Sequence, residues 1–488
     1  MELVKPSVLF DRDAEWADLT SFATDPALGA TLAIVYGRRR QGKTLLLELL
    51  AEQTQGLMFT GLEQSASQNL AAISRVFAAH QGLGVPVAFA RWEQAFDALV
   101  ALGERHLPAT VVLDELPYLL ATAPEIPSIL QRALSPRGRA RQRSRTRFVL
   151  CGSAFSVMGR LLSGSGALRG RAGRELVLHP FTYREVADFW GIDDHDLALR
   201  IDALVGGTPA YKDFSEGDQP ASLADLDAWV VRRLLNPSTA YFREGRVLLA
   251  EEPDVTDRVL YFSVLSAIAD GKTRRGQIAT TLGRPESALA HPLTVLQETR
   301  LIERNQDALR ANRSTFRVCE PMLRFHQLVI APNEGRLVRR QGADVWAEIS
   351  DTISSRIYGP HFEEVARQWT ALHASRATLG GRASDVGTTA VSCRLHRCHH
   401  EVDVVAVERG PGIPDRLLAL GEAKWRTDAV GTGELQRLRH IRGLVANAAE
   451  PARLILFSRS GFTTELAQEA GGSSDVELVD LERLYTGR

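Results

Sequence analysis

The sequence predicts a multi-unit α/β protein whose first unit is a mostly parallel sheet, and three observations carry that prediction. A glycine-bounded loop, GRRRQGKT (Gly37 to Thr44), lies between the apolar run LAIVY and the helix-forming run LLLELLAE. A second apolar run, ATVVLDELPYLL, ends in the acidic pair Asp114 and Glu115, and a third, RFVLCGSAFSVM, ends at Ser153. Strands and helices alternate from residue 1 to about 178, the pattern of a parallel sheet covered by helices.

The loop stands where a phosphate-binding P-loop must stand, after a strand and before a helix. Gly37 and Gly42 let the backbone curl so that successive N–H groups point at a β-phosphate. Lys43 reaches the β- and γ-oxygens, Thr44 offers its hydroxyl to Mg²⁺, and the helix N-terminus adds its positive dipole end. Arg38, Gln41 and Leu45 complete the expected nucleotide-lining set. Asp114, at a strand tip, suits a Mg²⁺ role, and Glu115 can take a proton from an attacking water. Ser153 reads equally as a γ-phosphate sensor and as a turn former. The cofactors expected are ATP and Mg²⁺.

On these residues the chain resembles the archaeal-type P-loop ATPases of the AAA+/STAND group. The matching segments are FDRDAEWADL (Phe10, Arg12, Asp13, Glu15), GRRRQGKT, VVLDELPYL, CGSAFSVM, ALRGRAGRELVLHPF and GGTPAY (Gly206 to Tyr211). The resemblance implies an adenine-nucleotide site, ATPase activity and a helical lid behind GGTP, with Pro209 at the nucleotide. It also implies a basic position after the third strand, which Arg169 and Arg171 match. One of the two would contact phosphate, in its own subunit or a neighbour's, so a homo-oligomer or a partner protein is expected.

At 488 residues the chain is too long for one core, and its net charge of −1 does not advertise a polyanion. No segment approaches the roughly 18 apolar residues of a membrane span, and MELVKPSVLFDRD lacks the plan of a signal peptide. A cytoplasmic location without membrane contact is expected. Four cysteines, at 151, 319, 393 and 398, are too sparse for a disulfide framework. The cluster Cys393, His396, Cys398, His399 and His400 has metal-ligand chemistry. It falls in a strand, however, where neighbours point to opposite faces, and no second ligand pair follows at a zinc-knuckle distance. Structural zinc is therefore not expected. Between Arg137 and Arg147 arginine holds every second position, which suits either a phosphodiester backbone or a solvated loop.

Residues 179–250 turn helical (YREVADFWG, DLALRIDALVGG, LADLDAWVVRRLL) and form the candidate lid, and EEPD (Glu251 to Asp254) reads as a linker. Residues 255–330 read as a winged helix. VLYFSVLSAIADG, KTRRGQIATTLG and PESALAHPLTVLQETRLIER give three helices, and LIERNQDALRANRSTFRVCE gives two strands. Pro292 falls inside the presumed recognition helix, at a cost of about 3 kcal/mol unless the helix breaks. A protein-docking role therefore stands beside DNA binding. If DNA is bound, Lys272, Arg274, Arg275 and Arg284 are the expected phosphate contacts.

Residues 340–488 carry a second constellation. The helix GPHFEEVARQWTAL presents Glu363, the strand HEVDVVAVE carries Asp403, and LLALGEAKW carries Glu422 and Lys424. Glu422 and Lys424, two apart, emerge on one face of their strand. Glu363, Asp403 and Glu422 can hold Mg²⁺ at a phosphodiester, and Lys424 can steady charge or orient water. The segment resembles the PD-(D/E)xK nuclease superfamily, matched at GPHFEE, EVDVVAV, GEAKW and Gln436. Two functions follow. The first is an ATPase whose nucleotide cycle regulates or positions a Mg²⁺-dependent nuclease-like domain on nucleic acid, DNA being expected ahead of RNA though the sequence does not decide between them. The second is a nucleotide-dependent switch with an inactive C-terminal binding domain.

Overall fold

Five segments of the first 180 residues become five parallel strands: β1 (Thr31–Tyr36), β2 (Leu57–Thr60), β3 (Ala109–Asp114), β4 (Thr146–Gly152) and β5 (Ala172–Val177). They lie side by side as β2–β3–β4–β1–β5. The computed structural model describes residues 3–487 except 86, 106, 165, 251, 253, 256, 412 and 446–450, and describes only the backbone at 139, 311, 413 and 414. Glu251 and Pro253 of the expected EEPD linker thus lie outside the described residues, as does Gly412 of the segment RGPGIPD, which the sequence reads as a turn between HEVDVVAVE and LLALGEAKW.

Both faces of the sheet are covered at its middle strands, so β1, β3 and β4 are buried nearly end to end rather than alternating, whereas edge strand β5 is largely exposed. Leu32 and Ile34 of β1, Val111 and Leu113 of β3, and Phe148 and Leu150 of β4 join one core with helices Ala66–His80 and Trp92–Leu102. The intervening Ala33, Val35, Val112, Val149 and Cys151 join the opposite core, with helices Asp13–Thr24 and Lys43–Thr54. Period-two pointing thus sorts one continuous apolar run into two cores. Arg12 ties the opening segment to the segment beyond β5, donating to the His179 carbonyl at 2.7 Å.

The chain divides into two compact units. Residues up to Pro180 together with Thr208–Ala210 belong to the first, and Phe181–Gly207, Tyr211–Ala250 and the residues from Val255 onward belong to the second. Helices Tyr183–Trp190, His195–Val205 and Leu223–Trp229 open the second unit. Helices Arg258–Ala269, Arg275–Leu282 and Ala290–Glu298 follow, with the antiparallel hairpin β6 (Ile302–Asp307) and β7 (Arg310–Val318).

Pro292 does not break a helix. A short 3₁₀ turn, Glu286–Leu289, precedes it, and the α-helix begins at Ala290, so Pro292 sits in the first turn, where its missing N–H has no intrahelical acceptor. Its ring is buried beside Leu293 and Leu296.

The remaining strands are β8 (Asp385–Cys393), β9 (Cys398–Gly410), β10 (Ile413–Lys424), β11 (Arg453–Ser458) and β12 (Val476–Val479). The order β12–β11–β10–β9–β8–β6–β7 makes one seven-stranded mixed sheet, into which the β6–β7 hairpin is recruited through Asp307 and Thr388. Helix Gly359–Leu372 covers one face with Phe362, Val365 and Trp369. Helix Thr432–Val445 covers the other with Leu435, Leu438 and Ile441. Among the described residues no helix is long and apolar enough to cross a membrane.

Candidate functional site

The loop after β1 takes the course that its glycines permit. Gly42 has φ +83, a left-handed value with nothing within 4 Å of a would-be Cβ, and it caps helix Lys43–Thr54. At Gly37 the constraint is space instead, since a Cβ there would lie 2.7 Å from the Leu178 carbonyl oxygen. Lys43, 6% exposed, folds its ammonium back onto the carbonyls of Gly37 and Arg38 at 2.8 and 2.7 Å. Burial pushes its pKa down, partly offset by the acidic groups Cys151, Glu115 and Asp114. Arg38 and Gln41 are buried, whereas the Leu45 side chain is exposed, so Leu45 has only its backbone to offer.

The acidic strand tip meets this loop. Asp114, 1% exposed, accepts from the Thr44 hydroxyl at 2.9 Å through Oδ2 and from the Glu115 N–H at 2.9 Å through Oδ1. Thr44, in the first turn of helix Lys43–Thr54, and Asp114, at the tip of β3, are therefore already paired. Glu115 has φ +48, a strained left-handed conformation that turns its side chain off the strand line and opens helix Leu116–Thr122. Its carboxylate accepts from Ser153 Oγ at 3.3 Å, and burial followed by the Asp114 charge pushes its pKa up. Arg39 donates to Ser153 Oγ at 3.4 Å and to the Tyr118 hydroxyl at 2.5 Å. Arg39 and Tyr118 are site residues that sequence reasoning missed. The signal was the run of three arginines inside the loop, which motif spacing does not rank.

Thr208–Ala210 of GGTPAY, which belong to the first unit, return to the loop, where Ala210 N–H donates to the Arg40 carbonyl at 3.4 Å, next to Pro209. The two arginines after the third strand are engaged elsewhere. Arg169 donates to Gly164 O at 3.0 Å and Arg171 to Leu134 O at 3.4 Å. The arginine strip is partly structural. Fully buried Arg147 holds the carbonyls of Gly29, Asp25 and Ala27, and Arg145 holds that of Pro26.

In the second unit, β9 and β10 bring the other constellation together. Register pairs Gly421 with Val404, so Asp403 and Glu422 come just beyond, at the opening end of the two strands. Asp403 Oδ2 accepts from the Ala423 N–H at 2.9 Å. Glu422 Oε1 takes both the Lys424 ammonium and the Arg437 guanidinium, while its Oε2 is buried with no hydrogen-bond partner. Burial, then the Asp403 charge, raises the Glu363 pKa strongly, and burial, then Glu422, raises that of Asp403. The three carboxylates thus share one field that Arg367, Lys424 and Arg437 offset only in part, and the orphaned Glu422 Oε2 is a free ligand atom, so the donor set fits a hard divalent cation. They are not drawn to coordination distance of one another. Among the described residues a single group of three or more His, Cys, Asp or Glu converges within 4.8 Å, and it is Cys393, His396, His400 and His440. On the helix after β10, Gln436 is exposed, and Arg437, one residue on, meets Glu422.

Asp403 and Glu363 line a groove of about 540 Å³ that runs to Arg313 of β7 and Arg274 before helix Arg275–Leu282, with Arg356 and Arg367 on its walls. Arg275 is spent on the carbonyl of Glu286.

Known proteins place the first of these sites in a fold. No family model matches the chain. A solved Walker-type ATPase of Pyrococcus abyssi superposes with a TM-score of 0.51 at 18% identity, covering 65% of this chain and 96% of that one. The fold is that of a P-loop NTPase. The ORC2 protein of Aeropyrum pernix aligns with a TM-score of 0.41 at 17% identity, over 72% of this chain and 98% of its own. An uncharacterized protein of Methanocaldococcus jannaschii is 24% identical over 397 residues, 80% of this chain and 82% of the relative. With the P-loop NTPase fold in hand, the strand order puts Thr44, Asp114, Glu115 and Ser153 at the ends of adjacent strands β1, β3 and β4, on the side where such sheets take their ligand.

Proposed function

We propose that the chain binds and hydrolyses ATP at Gly37–Thr44, and that its second unit acts on the phosphodiester backbone of DNA. The observation that carries the first part is the connected set Lys43, Thr44, Asp114, Glu115 and Ser153. A triphosphate replaces the Gly37 and Arg38 carbonyls as the partner of Lys43, which relieves the cost of burying an ammonium without an anion. Thr44 and Asp114 would hold Mg²⁺, which supplies neutralisation of the phosphate oxygens. Glu115, ionised yet raised in pKa, accepts the proton of the attacking water, and Ser153, itself held by Arg39, fixes its carboxylate. Water oxygen bonds to the γ-phosphorus as the bond to the β-bridging oxygen breaks, giving ADP and phosphate. The Walker-type ATPase from Pyrococcus abyssi supports this reading by its fold alone.

For the second unit, the support is that Glu363 and Asp403 line a groove walled by arginines, with Glu422 and Lys424 on the strand paired beside Asp403. The helix triplet and hairpin before it read as a winged helix that lays duplex along this groove, with Arg274 and Arg313 on phosphates. Glu363, Asp403 and Glu422 would hold Mg²⁺ there. Lys424 steadies the developing negative charge, and water displaces the leaving oxygen, which takes the proton. The test is nicking of supercoiled DNA by the full chain with Mg²⁺. Asp403→Ala and Lys424→Ala should abolish nicking and leave ATP turnover intact, whereas undiminished nicking by both variants overturns the assignment.

A second reading has its own support, since Lys424 and Arg437 together neutralise Glu422 without any ion. On it the second unit binds DNA without cutting. DNA retention together with no nicking by the unaltered chain selects this reading.

A further inference from the structure

The tip of the β8–β9 hairpin gathers a ligand set that the nucleotide and nuclease readings do not use. Cys393 ends β8, His396 lies in the turn, His400 lies on β9, and His440 reaches in from helix Thr432–Val445. Cys393 Sγ lies 3.3 Å from His396 Nδ1 and 3.3 Å from His440 Nε2, and one ligand atom from each of the four residues falls within 4.8 Å of the others. The three imidazoles meet edge to face, with centroids 4.9 to 5.6 Å apart. We infer that these four side chains form a closed structural zinc site.

Strand alternation, which argues against a metal when the sequence is read alone, in fact sorts the ligands. Cys393 and Cys398 are register partners, so His400, two residues past Cys398, emerges on the Cys393 face. The alternation expels only His399, which pairs instead with Ser392 at 3.0 Å on the opposite face. The missing fourth ligand arrives singly, 47 residues after Cys393, rather than as a knuckle pair.

The geometry matches the chemistry of the ion. Zn–S near 2.3 Å and Zn–N near 2.0–2.1 Å set tetrahedral S···N edges of about 3.6 Å and N···N edges of about 3.3 Å. The sulfur contacts already stand near that edge. The His396 backbone N–H donates to Cys393 Sγ at 3.4 Å, a bond that favours a thiolate. One thiol proton cannot serve two imidazole nitrogens at once, and the third ring, His400, has no carboxylate partner within the group. On zinc binding the Cys393 proton leaves to solvent and the sulfur takes its place on the ion. Four protein ligands leave no open position, which marks a structural rather than a catalytic ion.

The consequence for the fold is local. His400 stands three residues before Asp403 on β9, and Arg437 stands three residues before His440 on the covering helix. The ion would therefore pin the strand that bears Asp403 to the helix whose Arg437 meets Glu422. It acts as a positioning device, and its existence does not depend on whether that neighbouring site cuts DNA.

The test uses the full chain purified without a polyhistidine tag. Metal analysis should find about one zinc per chain, and replacement by Co²⁺ should give the spectrum of a tetrahedral thiolate site, lost in Cys393→Ser. His440→Ala and His396→Ala should each lose the metal. His396 is exposed, so its variant keeps the fold and separates ligand loss from unfolding. Cys398→Ser and His399→Ala should retain it. A chelator should lower the Tm of the unaltered chain and leave that of His396→Ala unmoved. Failure of the reconstituted chain to hold zinc or give the cobalt spectrum overturns the inference. So does loss of metal in Cys398→Ser or His399→Ala as complete as in His440→Ala.

Discussion

Replacing Glu115 by glutamine separates chemistry from binding at the nucleotide site. The amide keeps the size of the carboxylate and can still accept from Ser153, whose hydroxyl lies 3.3 Å away. What it loses is the capacity to take a proton. General-base catalysis contributes about 10²–10⁴-fold, equivalent to about 3–5 kcal/mol of barrier, so kcat for ATP should fall by that factor. The dissociation constant for ATP should stay within about threefold, because Lys43, Thr44 and the loop amides are untouched. Stability should move the other way. Burial and Asp114 disfavour the ionised Glu115, so removing its charge stabilises the fold, by less than about 1 kcal/mol after solvent screening. The raised pKa also predicts that turnover by the unaltered protein falls, as pH is lowered, above the ordinary carboxylate range. The assays are phosphate release over a pH series, nucleotide titration and thermal melting. A Glu115→Gln chain with unchanged kcat refutes the assignment of Glu115 as base.

Gly37→Ala should cost about 1–3 kcal/mol of stability and at least tenfold in ATP affinity. Its Cβ would press within 2.7 Å of the Leu178 carbonyl, which is backbone and cannot swing aside, and calorimetry with melting curves checks both effects. In the second unit, Glu363 and Asp403 keep their protons in the folded protein at pH values where the unfolded chain has lost them. Folding there takes up protons, so in chelator the stability should fall as pH rises from the ordinary carboxylate range into the neutral range. Glu363→Gln should flatten that dependence and stabilise the chain by a few kcal/mol at neutral pH, read by denaturant unfolding with EDTA. Mg²⁺ should restore stability to the unaltered chain under the same conditions.

The nucleotide site was legible because its parts are local in sequence. A glycine loop between a strand and a helix, and a strand ending in two carboxylates, announce their geometry through spacing alone. The mostly parallel sheet followed for the same reason, since apolar runs of strand length such as β1, β3 and β4, buried on both faces, admit few other arrangements. What sequence could not supply was distance across the fold. That Arg437 meets Glu422 depends on the phase of the covering helix, which pattern reading does not resolve. The position of Pro292 depended on where a helix begins, and the 3₁₀ turn before Ala290 moved that start past the point which apolar spacing suggested. His440 joined the hairpin histidines through tertiary packing, with nothing in its own segment, ELQRLRHIRGLV, to mark it as a ligand. The merging of the β6–β7 hairpin with the C-terminal sheet was equally hidden, because it turns on a single register pair between Asp307 and Thr388.

Calorimetric titration of ATP with Mg²⁺ into the full chain, beside Lys43→Ala, tests the nucleotide site at its root. The buried ammonium of Lys43 should make the unaltered chain bind with one site per molecule and the variant bind at least about a hundredfold more weakly. Equal affinity in the two proteins, or no heat from the unaltered chain, contradicts the account.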